Sequence, residues 1–217
     1  MNPAIPIPCV ALVTDRSLTG GLGGLKKAIE AAVAGGVTMV QLREKGLDTQ
    51  ELIQLAEELR LITDGRASLF VNDRVDIAIA CQADGVQLGE RGMSISQAKM
   101  AAGAHRLHIG RSVHDFQGGL RASNLGADLL YAGPVYISRS HPGQPANGTE
   151  LIRSLAGDVS VPVLGIGGIT KANSREVIES GAQGVAVISE ILAASSPFEA
   201  AKGLREAVDS AYAAMSL

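Results

Sequence analysis

The sequence has few aromatic residues and no tryptophan, with aromatics making up 3% of its 217 residues. Sites that stack bases or sugars on aromatic rings, and β-sandwiches packed around a tryptophan, are therefore not favoured. Positive charge is not in excess either, since 19 Lys and Arg are set against 22 Asp and Glu, for a net charge of −3. This balance argues against a nucleic-acid partner bound mainly by electrostatics.

Cysteines and long apolar runs are also scarce. Cys9 and Cys81 are the two cysteines, and neither belongs to a C-x-x-C pair or a zinc pattern. We expect both to be buried, reduced thiols. The sequence has no apolar run of 18 residues, and its first residues have no basic segment followed by an apolar stretch. We therefore expect a cytoplasmic protein with no membrane partner.

Short runs rich in Val, Ile and Leu alternate with amphipathic segments along the whole chain. The runs predict eight strands at 9–14, 37–42, 68–71, 85–88, 107–110, 128–132, 162–166 and 184–188. The segments predict helices at 25–34, 49–63, 76–81, 94–102, 116–125, 149–155, 171–179 and 198–212. This alternation predicts an α/β fold, a (β/α)8 TIM barrel, as a single domain over 1–217. A doubly wound open sheet is the alternative, but the glycines at 20–24 lack the G-x-G-x-x-G spacing.

Barrel enzymes place their chemistry where the strands end, so polar residues after the apolar runs are the candidates. By strand alternation, Gln41, Arg43 and Lys45 share one face after the second run. Two cations and an amide on one edge predict an anion clamp, with a solvated charged loop as the alternative. Asn72 and Asp73 follow the third run, where they predict a metal or ring-nitrogen site, or a helix N-cap.

Later strand ends add hydroxyls, an imidazole and glycines. Ser112 and His114 follow the fifth run, either as mouth residues or as caps of the next helix. A long loop at 133–148 predicts a lid over a charged substrate, and it carries Ser138, Arg139, Ser140 and His141. Gly167 and Gly168 follow the seventh run, and Ile188 and Ser189 the eighth. These paired loops predict a phosphate site, because glycine lets backbone N–H groups approach an anion closely.

Six motifs occur together in one order. They are Gln41-Leu42-Arg43-Glu44-Lys45, Val71-Asn72-Asp73-Arg74, Ala83-Asp84-Gly85-Val86, Ile109-Gly110-Arg111-Ser112-Val113-His114, Gly133-Pro134-Val135-Tyr136 and Gly165-Ile166-Gly167-Gly168-Ile169. In this order the sequence resembles the thiamin phosphate synthase family and its close relative, the thiazole tautomerase. The resemblance covers nearly the whole chain, from about residue 10 to residue 208.

The resemblance implies a transferase of thiamine biosynthesis. Such an enzyme condenses hydroxymethylpyrimidine pyrophosphate with thiazole phosphate and releases pyrophosphate. It implies that Gln41, Arg43, Lys45, Asn72 and Ser112 hold the pyrimidine substrate and that Asp73 binds Mg²⁺. It further implies that Ser138 and Ser140 meet the thiazole phosphate, and that Gly168, Ile188 and Ser189 bind its phosphate group. Arg43, Lys45, Ser112 and His141 are the candidate catalytic residues, and a homodimer is the expected assembly.

The sequence departs from the family's pattern at three places. Gly92 stands where a second metal-binding Asp is expected, so the Mg²⁺ site lacks a carboxylate. His141 replaces a Lys, and Gln87 begins a segment that usually reads His-Leu-Gly-Gln. Arg139, Arg111 or Glu90 could compensate. A thiazole phosphate tautomerase, with His141 or His114 as acid/base, and an inactive barrel that binds a phosphorylated ligand remain alternatives.

Overall fold

The computed structural model describes residues 5–137 and 146–215, and these residues form a closed barrel of eight parallel strands. The strands are β1 Cys9–Val13, β2 Met39–Leu42, β3 Ser68–Asn72, β4 Gly85–Leu88, β5 His108–Val113, β6 Leu129–Ala132, β7 Val163–Ile166 and β8 Gly184–Val187. Each strand pairs with the next one along the chain, and β8 pairs with β1. The (β/α)8 prediction is confirmed and the open doubly wound sheet is wrong, because the sheet has no free edge.

Helices follow the strands and cover the outside of the barrel. Within the described residues they are α1 Leu22–Ala34, α2 Thr49–Thr63, α3 Val75–Ala80, α4 Ile95–Ala102, α5 Phe116–Asn124, α6 Glu150–Asp158, α7 Ser174–Glu179, α8 Ser189–Leu192 and α9 Pro197–Met215, with a short 3-10 helix at Arg16–Leu18. The start of α2 shows how the sequence sets a boundary: Asp48 accepts from Glu51 N, and the Glu51 carboxylate accepts from Asp48 N. Among the described residues, no helix is long and apolar enough to cross a membrane.

Two apolar clusters stabilise the fold. The larger lies between the sheet and the helices and contains the outward-facing strand residues, such as Val40, Val86 and Val185. The smaller fills the barrel interior with inward-facing residues, such as Met39, Phe70 and Leu164. Cys9 and Cys81 are buried and free, as predicted. Burial raises the pKa of Cys9 to about 12, so its thiol is neutral at physiological pH.

The strand register arranges the interior in layers of four residues from alternate strands. One layer contains Gln41, Gln87, Tyr131 and Ala186. The layer above it, toward the carboxyl ends of the strands, contains Val13, Asn72, Ser112 and Ile166. The polar members of both layers come from β2 to β5, so the polar part of the mouth is on that side.

Several predicted boundaries are wrong by a few residues. The fifth strand was expected at 107–110, but β5 continues to Val113 because Ser112 pairs in register with Tyr131. Ser112 is therefore a barrel-interior residue and not part of the following loop. Helix α8 was not predicted as a separate element, because four residues are too few to show a helical period.

Candidate active site

A chain of side-chain hydrogen bonds joins β2, β3 and the loop after β4. Gln41 is 3% exposed, and its Nε2 donates to Asn72 Oδ1 at 3.0 Å. Asn72 Nδ2 then donates to Asp73 Oδ2 at 2.8 Å, and the N–H of Gly89 donates to Asp73 Oδ1 at 2.7 Å. Three of the predicted site residues are therefore brought together, and the orientation of the Asp73 carboxylate is fixed by two donors.

The alternative prediction, that Asn72 and Asp73 cap the following helix, is wrong. The residue before α3 is Arg74, which makes no side-chain capping bond. Asp73 instead has a φ of 58°, in the left-handed region that Asp tolerates better than most residues. This conformation ends β3 and turns the carboxylate toward the β4–α4 loop.

The metal-site prediction can be compared with the residues around Asp73. An ideal Cβ on Gly92 would lie 2.7 Å from Asp73 Oδ1, so position 92 is directly beside the carboxylate. Among the described residues, no group of three or more His, Cys, Asp or Glu could hold a metal ion. Mg²⁺ accepts one or two carboxylates together with waters and substrate phosphates. A single carboxylate such as that of Asp73 is compatible with this ion, and Mg²⁺ binding there stays a prediction.

Arg43 and Lys45 lie at a cleft of about 230 Å³ between the ends of β1 and β2. The cleft is lined by Thr14, Asp15, Arg16, Ser17, Arg43, Glu44 and Lys45. Arg43 N donates to Thr14 Oγ1 at 2.9 Å, and this bond joins the backbone that follows β2 to the residue that follows β1. Lys45 is exposed to solvent. Arg43 and Lys45 therefore lie at one cleft, which Gln41 does not line, and their role as an anion clamp stays a prediction.

Sequence reasoning missed the part that Glu44 plays in this cleft. The Glu44 side chain is 3% exposed, and its two oxygens accept from Arg16 N at 3.1 and 3.3 Å. It also forms an ion pair with Arg16 NH1 at 3.4 Å. Strand alternation had already put Glu44 on the face opposite Arg43 and Lys45. Its partner Arg16, 28 residues away in sequence, could not be found without the fold.

Ser112 faces the interior near Gln87, and His114 lies just beyond β5. The prediction that Ser112 or His114 caps the next helix is wrong, because Asp115 caps α5 by accepting from Gly118 N. His114 Nδ1 lies 3.0 Å from Glu90 Oε2, in a pair whose side chains are both partly exposed. Arg111 donates to the carbonyl oxygens of Glu90 and Met93, and so fixes the loop that contains Gly92.

The loops after β7 and β6 pack tightly against each other. Gly167 has a φ of 101° and Gly168 a φ of 64°. Tyr136 N donates to Gly167 O at 2.9 Å, and an ideal Cβ on Gly168 would lie 2.5 Å from Ile137 O. Both the backbone conformation and the packing therefore require glycine at position 168.

The remaining predicted residues lie at the end of β8 or outside the described chain. Ile188 is the N-cap residue of α8, and the exposed Ser189 is its first residue. Lys171 N donates to Glu190 Oε1 at 2.8 Å, which joins the β7–α7 loop to α8. Ser138, Arg139, Ser140 and His141 fall outside the described residues, so their predicted roles stay predictions.

Comparisons with known proteins find relatives along most of the chain. The thiamine monophosphate synthase family model matches residues 10–191. A thiamine-phosphate synthase from Chloroflexus aurantiacus is 40% identical over 199 residues, covering 91% of this chain and 91% of that protein. One from Pyrococcus furiosus is 39% identical over 199 residues, covering 91% of this chain and 93% of that protein.

Solved structures support both the fold and the family. A thiamine phosphate pyrophosphorylase from Pyrococcus furiosus superposes with a TM-score of 0.85 at 38% identity, covering 94% of this chain and 96% of that one. A 3-hexulose-6-phosphate synthase superposes with a TM-score of 0.72 at 19% identity, covering 92% and 99%, and shows the barrel fold alone. These names favour the synthase over the tautomerase, and they indicate an enzyme, a transferase. The chain therefore belongs to the thiamine monophosphate synthase family.

Proposed function

We propose that this enzyme joins a pyrimidine methyl pyrophosphate to a thiazole phosphate and releases pyrophosphate. The observation that carries the proposal is that one barrel mouth combines two unlike halves. Arg43, Lys45 and the fixed carboxylate of Asp73 lie on the β2–β4 side. The left-handed glycines Gly167 and Gly168 lie on the β7 side. Two phosphorylated small molecules could thus be held with their rings meeting between the halves.

The residues present account for the chemistry that such a condensation needs. The bond between the pyrimidine methylene carbon and the pyrophosphate oxygen breaks, and pyrophosphate leaves with the electron pair. Arg43 and Lys45 stabilise the negative charge that develops on it. The thiazole nitrogen then donates its lone pair to the methylene carbon, and binding both substrates in line supplies much of the rate acceleration. No protein nucleophile or general base is required.

We further propose that Asp73 holds Mg²⁺ only when the pyrophosphate group is bound. When present, Mg²⁺ would neutralise charge on the leaving group. Asp73 is a single carboxylate beside a glycine, so substrate oxygens must supply other ligands. The homodimer and the cytoplasmic location also stay proposals, and the buried free thiols of Cys9 and Cys81 are consistent with a reducing compartment.

Incubation of the purified protein with both substrates, with and without Mg²⁺, tests the proposal. We expect thiamin phosphate and pyrophosphate to appear in equal amounts, and more slowly without Mg²⁺ or after Asp73→Asn. If neither product forms, the condensation is wrong. Conversion of the thiazole phosphate to an isomer without pyrophosphate release would establish a tautomerase instead. Condensation that is indifferent to Mg²⁺ and to Asp73→Asn would remove only the metal proposal.

A further inference from the structure

Gln87 is a buried polar residue in the barrel interior that the proposed mechanism does not use. It is the third residue of β4, it is 1% exposed, and its register partner on β5 is Gly110. Its Nε2 donates to Ser112 Oγ at 3.1 Å. Among the described residues, its Oε1 has no hydrogen-bond partner. The amide is therefore half satisfied, with its one bond directed at a predicted substrate-binding residue.

Gly110 makes room for this amide. An ideal Cβ on Gly110 would lie 1.9 Å from Gln87 Oε1, so any side chain at position 110 would displace the glutamine. An amide oxygen buried without a donor destabilises the fold, and an apolar side chain of similar size would remove that cost. Folding stability therefore does not explain glutamine at position 87. Its hydrogen bond to Ser112 suggests a functional role instead.

The bond decides which way the Ser112 hydroxyl can act. An amide NH₂ group can only donate, so the oxygen of Ser112 must be the acceptor in this pair. The hydroxyl hydrogen of Ser112 is then free to point elsewhere. Ser112 lies in the interior layer nearest the mouth and is partly exposed, so its hydrogen can be donated to an acceptor atom of a ligand above it.

We propose that Gln87 is a positioning residue that presents the Ser112 hydroxyl as a donor to the pyrimidine pyrophosphate substrate. The proposal rests on the proposed function, because it takes the ligand above Ser112 to be that substrate. Gln87 itself stays beneath the site and acts through Ser112. The ligand atom it serves is an acceptor, such as a pyrophosphate oxygen or a ring nitrogen.

Two substitutions at position 87 separate this role from packing. Gln87→Glu has nearly the same shape, and at a pH where the introduced carboxyl is ionised it only accepts, so Ser112 must donate to it and is lost to the ligand. Gln87→Leu removes the bond and leaves the hydroxyl free to rotate. We expect the KM for the pyrimidine substrate to rise about tenfold or more in Gln87→Glu and about threefold in Gln87→Leu. The KM for thiazole phosphate should change by less than about twofold.

A double-mutant cycle with Ser112→Ala is the decisive test. Once Ser112 lacks its hydroxyl, Gln87→Leu should change the KM by less than about twofold, because the group through which it acts is gone. Gln183→Leu is the matched control, since Gln183 Oε1 accepts from Val163 N at the opposite end of the barrel. We expect that control to lower the melting temperature and to leave both KM values unchanged.

Several results would overturn the proposal. If the effects of the Gln87 and Ser112 substitutions on the KM are additive, Gln87 does not act through Ser112. A wild-type KM in Gln87→Glu, at a pH where the introduced carboxyl is ionised, would mean that Ser112 donates to Gln87 rather than to ligand. If Gln87→Glu does not fold, the cycle with Gln87→Leu still decides. Binding of the pyrimidine pyrophosphate, measured by calorimetry through the same cycle, keeps this test separate from the proposed function: absence of turnover in the wild type refutes the function, and additive binding effects refute the role of Gln87.

Discussion

The two halves of the barrel mouth are built in different ways. On the β2–β5 side, the two upper interior layers contain Gln41, Asn72, Gln87 and Ser112, joined in pairs by side-chain hydrogen bonds. On the β6–β1 side, the same layers contain Tyr131, Ile166, Ala186 and Val13, which belong to or pack on the apolar interior cluster. Polar groups on that second side come instead from the backbone of the turns after β7 and β8.

This difference sets how each half should respond to substitution. Side chains such as Lys45 project from a backbone that other residues hold, so they can be removed while the fold is kept. The turn at Gly168 is fixed by its own left-handed conformation and by contact with the β6 loop. A change there should alter the local fold and the proposed phosphate site together. On the β2–β5 side we therefore expect substitutions to lower ligand affinity without lowering the stability of the fold. On the β6–β1 side we expect them to lower both.

The largest effect should come from Gly168→Val. Valine is strained at a φ of 64°, and its Cβ would meet Ile137 O at 2.5 Å. Thiazole phosphate affinity should fall by about 1–3 kcal/mol, and the melting temperature should fall as well. Calorimetry and thermal unfolding measure the two. Gly157→Val is the control, since among the described residues no atom beyond its chain neighbours and its own helix backbone lies within 4 Å of an added Cβ there. Unchanged affinity in a folded Gly168→Val variant would contradict the phosphate assignment.

Lys45→Ala should lower turnover without affecting the fold. Loss of one charge-assisted contact to the pyrophosphate should cost about tenfold in kcat/KM, while the exposed side chain contributes little to stability. Steady-state kinetics and a melting curve are sufficient to measure this. Lys27→Ala removes the same charge from the exposed surface of α1 and should change neither quantity. If Lys45→Ala instead lowers the melting temperature and spares activity, the side chain is structural.

Substitution of Gly92 should have a smaller effect, and its sign depends on the residue introduced. An ideal Cβ at position 92 would lie 2.7 Å from Asp73 Oδ1 and 3.1 Å from Gly89 O, so Gly92→Ala must displace the Asp73 carboxylate. We expect it to weaken Mg²⁺ binding in the presence of pyrophosphate. Gly92→Asp adds the same Cβ and a carboxylate, and should bind Mg²⁺ more tightly than Gly92→Ala. Equal Mg²⁺ affinities in the two variants, or tight binding to the substrate-free wild type, would refute the single-carboxylate site.

The smallest effect concerns the contact between Tyr136 and α7. Tyr136 Oη donates to Glu176 Oε2 at 2.7 Å, and burial together with this bond raises the pKa of Tyr136 to about 12. A raised pKa favours the neutral form in the folded state, so its contribution is present below about pH 10 and lost as the pH rises toward 12. The melting temperature should fall less steeply over this range in Tyr136→Phe than in the wild type. An unchanged slope in Tyr136→Phe would contradict this account.

The strands were predictable because each is a short apolar run bounded by polar residues or glycine. In a closed parallel barrel both faces of a strand are covered, so the run of Val, Ile and Leu is the whole signal. The same signal placed Gln41, Arg43, Asn72 and Gly168 at strand ends, where the structure has them. It failed at β5, because a polar serine inside a barrel does not differ in sequence from a serine in a loop.

The contacts within the site were not predictable from the sequence. Gln41 and Asn72 are 31 residues apart, and Gln87 and Ser112 are 25 apart. Such pairs depend on the strand register, which period-two alternation specifies only as a choice of face. The buried position of Glu44 has the same origin: alternation shows that it faces away from Arg43, but the Arg16 backbone that it binds is brought there by the closed barrel.

Binding of each half-ligand alone tests most directly the claim that the two halves of the mouth serve two substrates. Inorganic pyrophosphate and thiazole phosphate should be titrated separately into the wild type, Lys45→Ala and Gly168→Ala by calorimetry. We predict that Lys45→Ala weakens pyrophosphate binding about tenfold and leaves the affinity for thiazole phosphate within about twofold of the wild type. Gly168→Ala should weaken thiazole phosphate binding about tenfold and leave the affinity for pyrophosphate within about twofold. The division of the mouth into a side-chain half and a backbone half is wrong if each variant weakens the binding of both ligands equally. It is also wrong if Lys45→Ala weakens thiazole phosphate binding and Gly168→Ala weakens pyrophosphate binding.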